Sequence, residues 1–389
     1  MSTNKSNKPK LRFKGFSDDW EQRKARDLCS ISTGKSNTQD RVDDGIYPFY
    51  VRSPIVEHSN RYLFDEEAVL TVGDGVGTGK VFHYVNGKYD LHQRVYRMFA
   101  FSEEITAKYF YYYFSNHFYD RVMAMTAKTS VDSVRYEMIA DMDIALPKVK
   151  EQMAISAYFE RLDNLITLHQ RKCDTLKNLK ASMLTKMFPK EGESVPEIRF
   201  KGFTDPWEQR KLGDIVGIYD GVHQTPKYQD SGIMFLSVEN IATLQSKKYI
   251  SEEDFKRDYK VYPQENDILM TRIGDVGTTN VVTDNGLKAY YVSLALLKYK
   301  SANPYFLSNA IQSNYVQKGL ANRTLKTAIP MKINKDEIGK VDIILPASDE
   351  EQEKIGEYFK QLDNLITLHQ SEVERLKKAK QFFLYKMFI

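Results

Sequence analysis

Two stretches of the chain space their hydrophobic residues with the period of a coiled coil. Within residues 151–188, and again within residues 351–388, the seam positions are separated alternately by four and by three residues. This alternation keeps one stripe of side chains turned towards a partner helix. The predicted seam residues are Ile155, Phe159, Leu162, Ile166, His169, Cys173, Leu176, Lys180, Met183 and Met187 in the first stretch and Ile355, Phe359, Leu362, Ile366, His369, Val373, Leu376, Lys380, Phe383 and Met387 in the second. We therefore predict two long helices that pair as an antiparallel coiled coil, although two separate surface helices would show a similar pattern.

The sequence ahead of each predicted helix has a different character. Residues 20–147 and 207–346 alternate short β-branched and aromatic runs with Gly, Asn and Asp, which is typical of strands joined by turns. Residues 107–125 and 304–319 are the exceptions, and we predict one helix for each. Each half of the chain therefore combines a mixed front domain with a long helix behind it.

The two halves repeat one another. Residues 9–24 (PKLRFKGFSDDWEQRK) match residues 196–211 (PEIRFKGFTDPWEQRK), and the run LDNLITLHQ occurs unchanged at 162–170 and 362–370. Matched blocks in the same order indicate a tandem duplication. The predicted fold is α+β, with two tandem-repeated globular α/β domains, each followed by a long helix, and pseudo-two-fold symmetry between the paired helices. The predicted boundaries are 1–147 for a leading segment and the first front domain, 148–188 for the first long helix, 189–206 for a linker and the second leading segment, 207–346 for the second front domain and 347–389 for the second long helix.

Composition narrows the classes of function. The chain has 389 residues, with 56 basic and 52 acidic side chains and a net charge of +4, which neither requires nor excludes nucleic acid. No apolar run has the length of a transmembrane helix, and the first residues lack the apolar core of a signal peptide. Two cysteines alone supply neither a disulfide framework nor a zinc site. We expect a cytoplasmic protein that does not associate with membranes.

One glycine-rich run looks at first like a phosphate-binding loop. Residues 73–80 read GDGVGTGK, but their spacing differs from that of a P-loop, and Val81 stands where Ser or Thr is required. We interpret the run as a tight turn that follows a strand, with backbone amides placed to face a phosphate. The chain contains no N-P-P-[YF] or D-P-P-[YF] adenine-methylation motif and no metalloprotease or serine-hydrolase motif. We therefore expect no catalysis by the chain itself, and neither a cofactor nor a metal.

The order of the motifs resembles the specificity subunit of type I restriction–modification systems. In both halves WEQRK begins the front domain, a Gly-Asp pair precedes Val-Gly-Thr, Leu-Pro ends the domain, and EQxxIxxYFxxLD opens the long helix. The resemblance covers both copies. It implies that each front domain is a target-recognition domain for one half of a split double-stranded DNA site. It also implies that the helices separate these domains and dock two methyltransferase (modification) subunits, which are joined by ATP-dependent restriction subunits that translocate and cleave DNA.

Comparison of the two copies adds to this expectation. The helices and leading segments are near copies, whereas central segments such as 47–62 and 233–249 share almost nothing. Two similar scaffolds with dissimilar binding surfaces suit an asymmetric, two-part site. The alternative is a duplicated coiled-coil scaffold that binds only protein partners, which the near-neutral charge favours.

Candidate DNA-binding residues lie on the loops of the front domains, where cations stand beside hydroxyl and amide groups suited to phosphates and base edges. Three loops recur in each copy: an early loop (residues 34–38 and 221–227), a glycine-rich turn that contains Gly-Asp and is called the Gly-Asp turn below (73–80 and 272–280), and a late loop (127–130 and 322–327). The candidates are Lys35, Ser36, Thr38, Arg41, Arg52, Lys80, Lys128, Thr129 and Ser130 in the first copy and His223, Gln224, Thr225, Lys227, Arg272, Arg323, Lys326 and Thr327 in the second.

Overall fold

The chain folds as two compact units, each built from a front domain and parts of both long helices. The computed structural model describes residues 8–75, 77–125, 133–299 and 302–388. Unit 1 comprises Met1–His169 together with Glu372–Ile389, and unit 2 comprises Gln170–Ser371. The compact units therefore do not follow the order of the chain, because each takes one half of each long helix.

Unit 1 begins with a leading segment and ends its own half of the chain with a long helix. Its strands are β1 (Glu21–Lys24), β2 (Ser30–Thr33), β3 (Tyr47–Tyr50), β4 (Val56–Ser59), β5 (Phe64–Val72), β6 (Phe82–Leu91), β7 (Val95–Phe99) and β8 (Asp143–Leu146). Its helices are α1 (Ala25–Leu28), α2 (Ala107–Ala124), α3 (Tyr136–Ala140) and α4 (Val149–Lys186), of which the last continues into unit 2. Helix α2 confirms the helix predicted for residues 107–125.

The front domain of unit 1 is built on a six-stranded sheet with the order β2-β7-β5-β6-β3-β4. Its neighbouring strands are antiparallel except for β3 and β6, which run parallel. The central strand β5 is buried from Ala68 to Val72, which explains its continuous apolar run. Helix α2 covers the sheet with stacked, buried rings of Phe110, Phe114 and Phe118. A ribbon of β1 and β8 ties the start of the domain to its end.

Unit 2 follows a similar order of elements, with one short helix added at residues 252–258 and the counterparts of β6 and α2 each divided in two. Its strands are β9 (Glu208–Lys211), β10 (Val216–Asp220), β11 (Ile233–Leu236), β12 (Tyr249–Ile250), β13 (Ile268–Thr271), β14 (Thr279–Val281), β15 (Lys288–Tyr290), β16 (Leu294–Tyr299) and β17 (Asp342–Leu345). Its helices are α5 (Leu212–Ile215), α6 (Glu252–Asp258), α7 (Pro304–Gln312), α8 (Asn314–Arg323), α9 (Lys335–Gly339) and α10 (Asp349–Met387).

The large sheet of unit 1 corresponds to two smaller sheets in unit 2, with the orders β10-β16-β13-β14 and β12-β11-β15. Strand β6 is continuous and pairs with both β5 and β3, whereas its counterpart is divided into β14 and β15. A turn separates these two strands, in which the amide of Gly286 donates to the Asp284 carboxylate at 2.7 Å. A local side-chain acceptor of this kind favours a turn over a continued strand.

The helix predicted for residues 304–319 is wrong as a single element. The structure has α7 and α8 instead, and the residue between them, Ser313, is extended with φ −66° and ψ 154°. Its hydroxyl donates to the Ala310 carbonyl at 2.7 Å. This hydrogen bond satisfies a carbonyl at the end of α7, where the helical ladder stops.

The long helices pair antiparallel within each unit. In unit 1, Tyr158 of α4 packs on Phe383 of α10 with ring centroids 5.2 Å apart. Further along α4, the Asp163 carboxylate lies 2.5 Å from Nζ of Lys380. The residue number rises along α4 while it falls along α10, so the two helices run in opposite directions. The predicted seam residues of both helices are buried or half-buried.

Unit 2 contains the matching half of the pair. The ring centroids of Phe188, just after α4, and Phe359 of α10 lie 5.8 Å apart, and Nζ of Lys180 lies 2.6 Å from the Asp363 carboxylate. Lys180 and Lys380 both fall on seam positions, where a lysine is unexpected. Their pairing with Asp363 and Asp163 explains how the seam accepts them, because a partly buried charge needs an opposite charge close by.

The leading segments are tied to the helices in the same way in both units. Arg12 forms two hydrogen bonds to the Glu151 carboxylate, each 2.6 Å long. In unit 2, Arg199 forms the equivalent pair to Glu351 at 2.6 and 2.8 Å. Both glutamates are almost completely buried, so each depends on its arginine to compensate its charge.

Candidate nucleic-acid interface

In unit 1 the early loop is held against the turn between β6 and β7. The amides of Lys35 and Ser36 donate to the Leu91 carbonyl at 3.1 Å, and the amide of Gln93 donates to the Ser36 carbonyl at 2.9 Å. A Cβ at Gly34 would lie 2.0 Å from the Leu91 carbonyl oxygen, so only glycine permits this approach. The early loop and the β6–β7 turn therefore form one surface at the end of the sheet.

The Gly-Asp turn joins the same surface. The amide of Gly73 donates to the Arg94 carbonyl at 2.8 Å, and the amide of Val134, just after the late loop, donates to the Gly73 carbonyl at 2.7 Å. The Asp74 carboxylate lies 3.4 Å from Nη1 of Arg52 and 3.7 Å from Nε of Arg94. Several loops and two arginines therefore meet at one end of this front domain.

His92 supports the arrangement from inside the turn. Burial lowers its pKa, and the charge of Arg52 lowers it further, so the ring is neutral near pH 7. Its Nδ1 accepts a hydrogen bond from the Arg94 amide at 3.0 Å. A neutral ring in this position shapes the backbone that presents Arg94.

Unit 2 builds the corresponding surface with different residues. A Cβ at Gly221 would lie 2.4 Å from the Tyr290 carbonyl oxygen, so glycine is again required where the early loop passes the strand. The amide of Val292 donates to the Val222 carbonyl at 3.0 Å, which holds the early loop against the β15–β16 turn. His223, Gln224, Thr225 and Lys227 follow directly and are exposed.

The late loop of unit 2 is a hairpin attached to the Gly-Asp turn. Its base is closed by a hydrogen bond of 2.8 Å from the Leu325 amide to the Lys332 carbonyl. The amide of Gly274 donates to the Met331 carbonyl at 2.8 Å, and the amide of Ile333 donates to the Arg272 carbonyl at 3.0 Å. The early loop, the Gly-Asp turn and the late loop of this unit are thus joined through the backbone.

The candidate cations differ in whether a carboxylate already neutralises them. Lys35, Lys227 and Lys326 are exposed, and none lies within ion-pair distance of a carboxylate in the described part of the chain. Arg41 is 2.7 Å from Asp43, and Arg323 is 3.0 Å from Glu337, so both already have acidic partners. These arginines must leave their carboxylate partners before they can bind a phosphate, whereas the three lysines can bind a phosphate without breaking an ion pair.

Two candidates lie in the interior. The Ser36 hydroxyl is fully buried and bonded to Asp90 at 2.5 Å. Arg272 is also buried, where it pairs with Asp220 and donates to the Ile333 carbonyl, and burial lowers its pKa. Both side chains are bonded inside their domains, so neither is placed to contact DNA as predicted. They shape the loops instead.

The remaining candidates are spread over the same loops. Thr38 and Thr327 are exposed, and Lys80, at the end of the glycine-rich turn, lies 4.7 Å above the Tyr119 ring. Lys128, Thr129 and Ser130 lie outside the described residues.

Profile comparison identifies the family. The type I restriction–modification DNA specificity domain matches the chain twice, over residues 17–178 and 204–378. The chain belongs to this family.

One relative matches nearly the whole chain and another matches a part of it. The MjaVIII specificity subunit of Methanocaldococcus jannaschii is 23% identical over 94% of this chain and 91% of its own. The EcoDI specificity subunit of Escherichia coli is 30% identical over a shorter region, 38% of this chain and 31% of its own. The chain is thus a type I specificity subunit with two target-recognition domains, which are the two front domains described above.

Solved structures share the fold. The S subunit of a type I system from M. genitalium matches with a TM-score of 0.71 at 15% identity, covering 98% of this chain and 99% of its own. A chain from a structure on the complex assembly and conformational transition of the type I system matches with a TM-score of 0.51 at 17% identity, covering 96% and 98%. Both matches confirm the α+β architecture with tandem domains and long helices.

Sequence reasoning missed some exposed side chains on the loop surfaces described above. Gln93 and Arg94 are exposed on the β6–β7 turn, and Lys332 is exposed at the base of the late hairpin. The run His-Gln-Arg directly after a strand was a usable signal for the first two. Lys332 follows the late loop in sequence, and only the hairpin brings it back beside Leu325.

Other kinds of site are not found in the described ranges. No group of three His, Cys, Asp or Glu side chains there is arranged to hold a metal ion. Both cysteines are buried, and burial raises the pKa of the Cys29 thiol to about 12, which disfavours the nucleophilic thiolate. Among the helices described, none combines the length and apolar character needed to cross a membrane.

Proposed function

We propose that this specificity subunit recognises an asymmetric, bipartite site on double-stranded DNA, with one half-site bound by each front domain. The observation that carries the proposal is the repeated convergence of loops at one end of each domain. Gly34 and Gly221 let equivalent loops pass close to a strand in the two units, yet the exposed side chains on those loops differ. Equivalent placement with different chemistry is what recognition of two different half-sites requires.

Exposed lysines without an acidic partner favour nucleic acid over protein as the ligand of these loops. Lys35, Lys227 and Lys326 stand beside exposed hydroxyl and amide groups, a combination suited to phosphates and base edges. The assembled complex should bind duplex DNA with an affinity that falls steeply as salt rises, because bound cations are released from DNA. Salt-independent binding, or none at all, would support the alternative of a scaffold for protein partners only.

The exposed leucines of the repeated helix motif support two methyltransferase subunits as partners. Leu165 and Leu168 in unit 1 and Leu365 and Leu368 in unit 2 are all exposed. Each pair lies within the same run of nine residues, LDNLITLHQ. Paired exposed leucines at a spacing of three lie on one helix face and mark an interaction surface. Two identical patches fit two copies of one partner.

Mass measurement of the co-expressed complex tests this stoichiometry. The unchanged chain should carry two methyltransferase subunits. A chain with Leu165→Glu and Leu168→Glu should carry one, as should a chain with the same changes at Leu365 and Leu368. A one-to-one complex with the unchanged chain at saturating partner would contradict the proposal.

Catalysis belongs, in this proposal, to the partners. The chain supplies recognition, the methyltransferase subunits modify the site, and ATP-dependent restriction subunits join the same complex and cleave DNA. The absence of methylation motifs from the sequence supports this division. We place the complex in the cytoplasm, where its DNA substrate is found.

A further inference from the structure

The late hairpin of unit 2 carries an apolar tip that no packing within the unit explains. Ile329 is 100% exposed, the largest value among the large hydrophobic residues described, and Leu325 and Met331 are about half exposed. Pro330 is exposed between Ile329 and Met331. A fully exposed isoleucine buries no apolar surface and therefore does not stabilise the fold of its own domain.

The base of the hairpin is fixed even though its tip is exposed. The hydrogen bond between Leu325 and Lys332 closes it, and the amide of Gly274 holds the Met331 carbonyl. Ile333, next in sequence, is completely buried in the core of unit 2. The tip is therefore presented by an ordered loop, so that pressing it into a partner costs little ordering entropy.

The charges beside the tip favour DNA as its partner. Lys326 and Lys332 flank it, and neither has a carboxylate within ion-pair distance in the described ranges. The hairpin is joined to the Gly-Asp turn, and that turn is joined to the β15–β16 turn beside the early loop, since the Arg272 amide donates to the Ser293 carbonyl at 3.0 Å. The apolar tip thus lies between two exposed lysines, and proteins that bind the minor groove and kink DNA insert Ile, Met, Leu or Pro between base steps.

We propose that Ile329 and Pro330 act as a wedge that partly unstacks one base step in the half-site bound by the second front domain. The inference rests on the proposed function and adds a mode of recognition to it. A wedge makes the choice of sequence depend on how easily a step is opened, at a position where no base edge need be contacted. In the first copy, residues 126–132 read TAKTSVD and have no comparable apolar run, so the wedge belongs to one half-site only.

Duplexes carrying 2-aminopurine at successive positions test the wedge in the assembled methyltransferase complex. The probe avoids the methylated adenines, because methyltransferases flip their target base. The unchanged complex should raise the fluorescence at one step of the second half-site. Ile329→Ser should abolish that rise and weaken binding about tenfold, because the wedge no longer offsets the cost of opening the step. Ile329→Leu should retain both properties.

A duplex with a mismatch at the same step provides the decisive control, because its stacking is already weakened. It should restore binding by the Ile329→Ser complex to within about twofold of the unchanged complex. Leu287→Ser is the matched surface change, since Leu287 is also exposed but precedes β15, at the opposite end of that strand from Tyr290 and the early loop. It should leave fluorescence and affinity unchanged.

Several results would overturn the wedge. Equal fluorescence and affinity for the Ile329→Ser and unchanged complexes would do so, and so would a loss of affinity that the mismatch does not rescue. Loss of a protein subunit from the Ile329→Ser complex would show that the tip binds protein. Failure of the unchanged complex to bind duplex DNA would instead contradict the proposed function itself.

Discussion

The two units share their scaffold and differ in the loops that the scaffold carries. Arg12–Glu151 and Arg199–Glu351 are equivalent ion pairs. In the recognition surfaces, by contrast, Asp74 gathers two arginines in unit 1, whereas unit 2 has a lysine-flanked hairpin with an apolar tip. Duplication thus preserved the contacts that place a target-recognition domain on the helices, and it left the exposed loop side chains free to change.

This difference predicts which residues can be substituted without loss of folding. A buried ion pair has a single productive geometry, and loss of either partner leaves an uncompensated charge. An exposed loop residue contributes little to folding, so its identity is set by what it binds. Equivalent substitutions in the scaffold should therefore destabilise the two units by similar amounts. Substitutions in the loops of one unit should change recognition of one half-site only.

The largest expected effect is on the scaffold. Arg12→Ala and Arg199→Ala should each destabilise their unit by about 3–5 kcal/mol, because each leaves a buried glutamate unpaired. Chemical denaturation of the full chain measures this loss. The chain has two tryptophans, one buried in each unit, so Trp20→Phe and Trp207→Phe backgrounds report the units separately.

Lys14→Ala and Lys201→Ala are matched controls in the same leading segments. Both lysines are exposed, and their removal should change the free energy of unfolding by no more than about 0.5 kcal/mol. A cost confined to one of the two arginines would show that the scaffolds are not equivalent.

A smaller effect is expected in the loops. Lys227→Ala and Lys326→Ala should cost about 1–3 kcal/mol of binding and relax specificity at one base if they contact a base edge. If they contact phosphate, they should weaken all sequences alike and reduce the salt slope by about 1. In either case the first half-site of the methylated motif should remain unchanged. Altered preference in both halves would refute independent recognition.

Sequence reasoning predicted the scaffold well because helix periodicity and repetition are local signals. The seam, the tandem repeat and helix α2 could all be derived from the spacing of residues. The break at Ser313 could not, since it depends on one hydroxyl bonded to a carbonyl three residues earlier. Ser36 and Arg272 were misplaced for a related reason: exposure is decided by partners distant in sequence, here Asp90 and Asp220.

The smallest expected change concerns the spacing of the half-sites, which we propose is set by the continuous helices. Both long helices pass through both units, so the test inserts four residues into each at facing positions, after Lys172 of α4 and after Ser371 of α10. The insertions add about 6 Å of helix, or about two base pairs, although they also shift the heptad phase. The methylated motif should keep both half-sites and gain one or two unspecified bases between them. Gly-Ser residues inserted after Gly192, in the linker, should leave the gap unchanged. A gap that lengthens only with the linker insertion would refute this proposal.

Replacing one front domain by a copy of the other tests the central claim most directly. Residues 20–147 would take the place of residues 207–346, and both segments begin with WEQRK and end with Leu-Pro, so the junctions match. Long-read methylation sequencing of cells that express this chain with its methyltransferase partner reports the motif. Independent recognition predicts a symmetric motif made of two inverted copies of the first half-site. An unchanged asymmetric motif, or one in which both half-sites are new, would contradict the account.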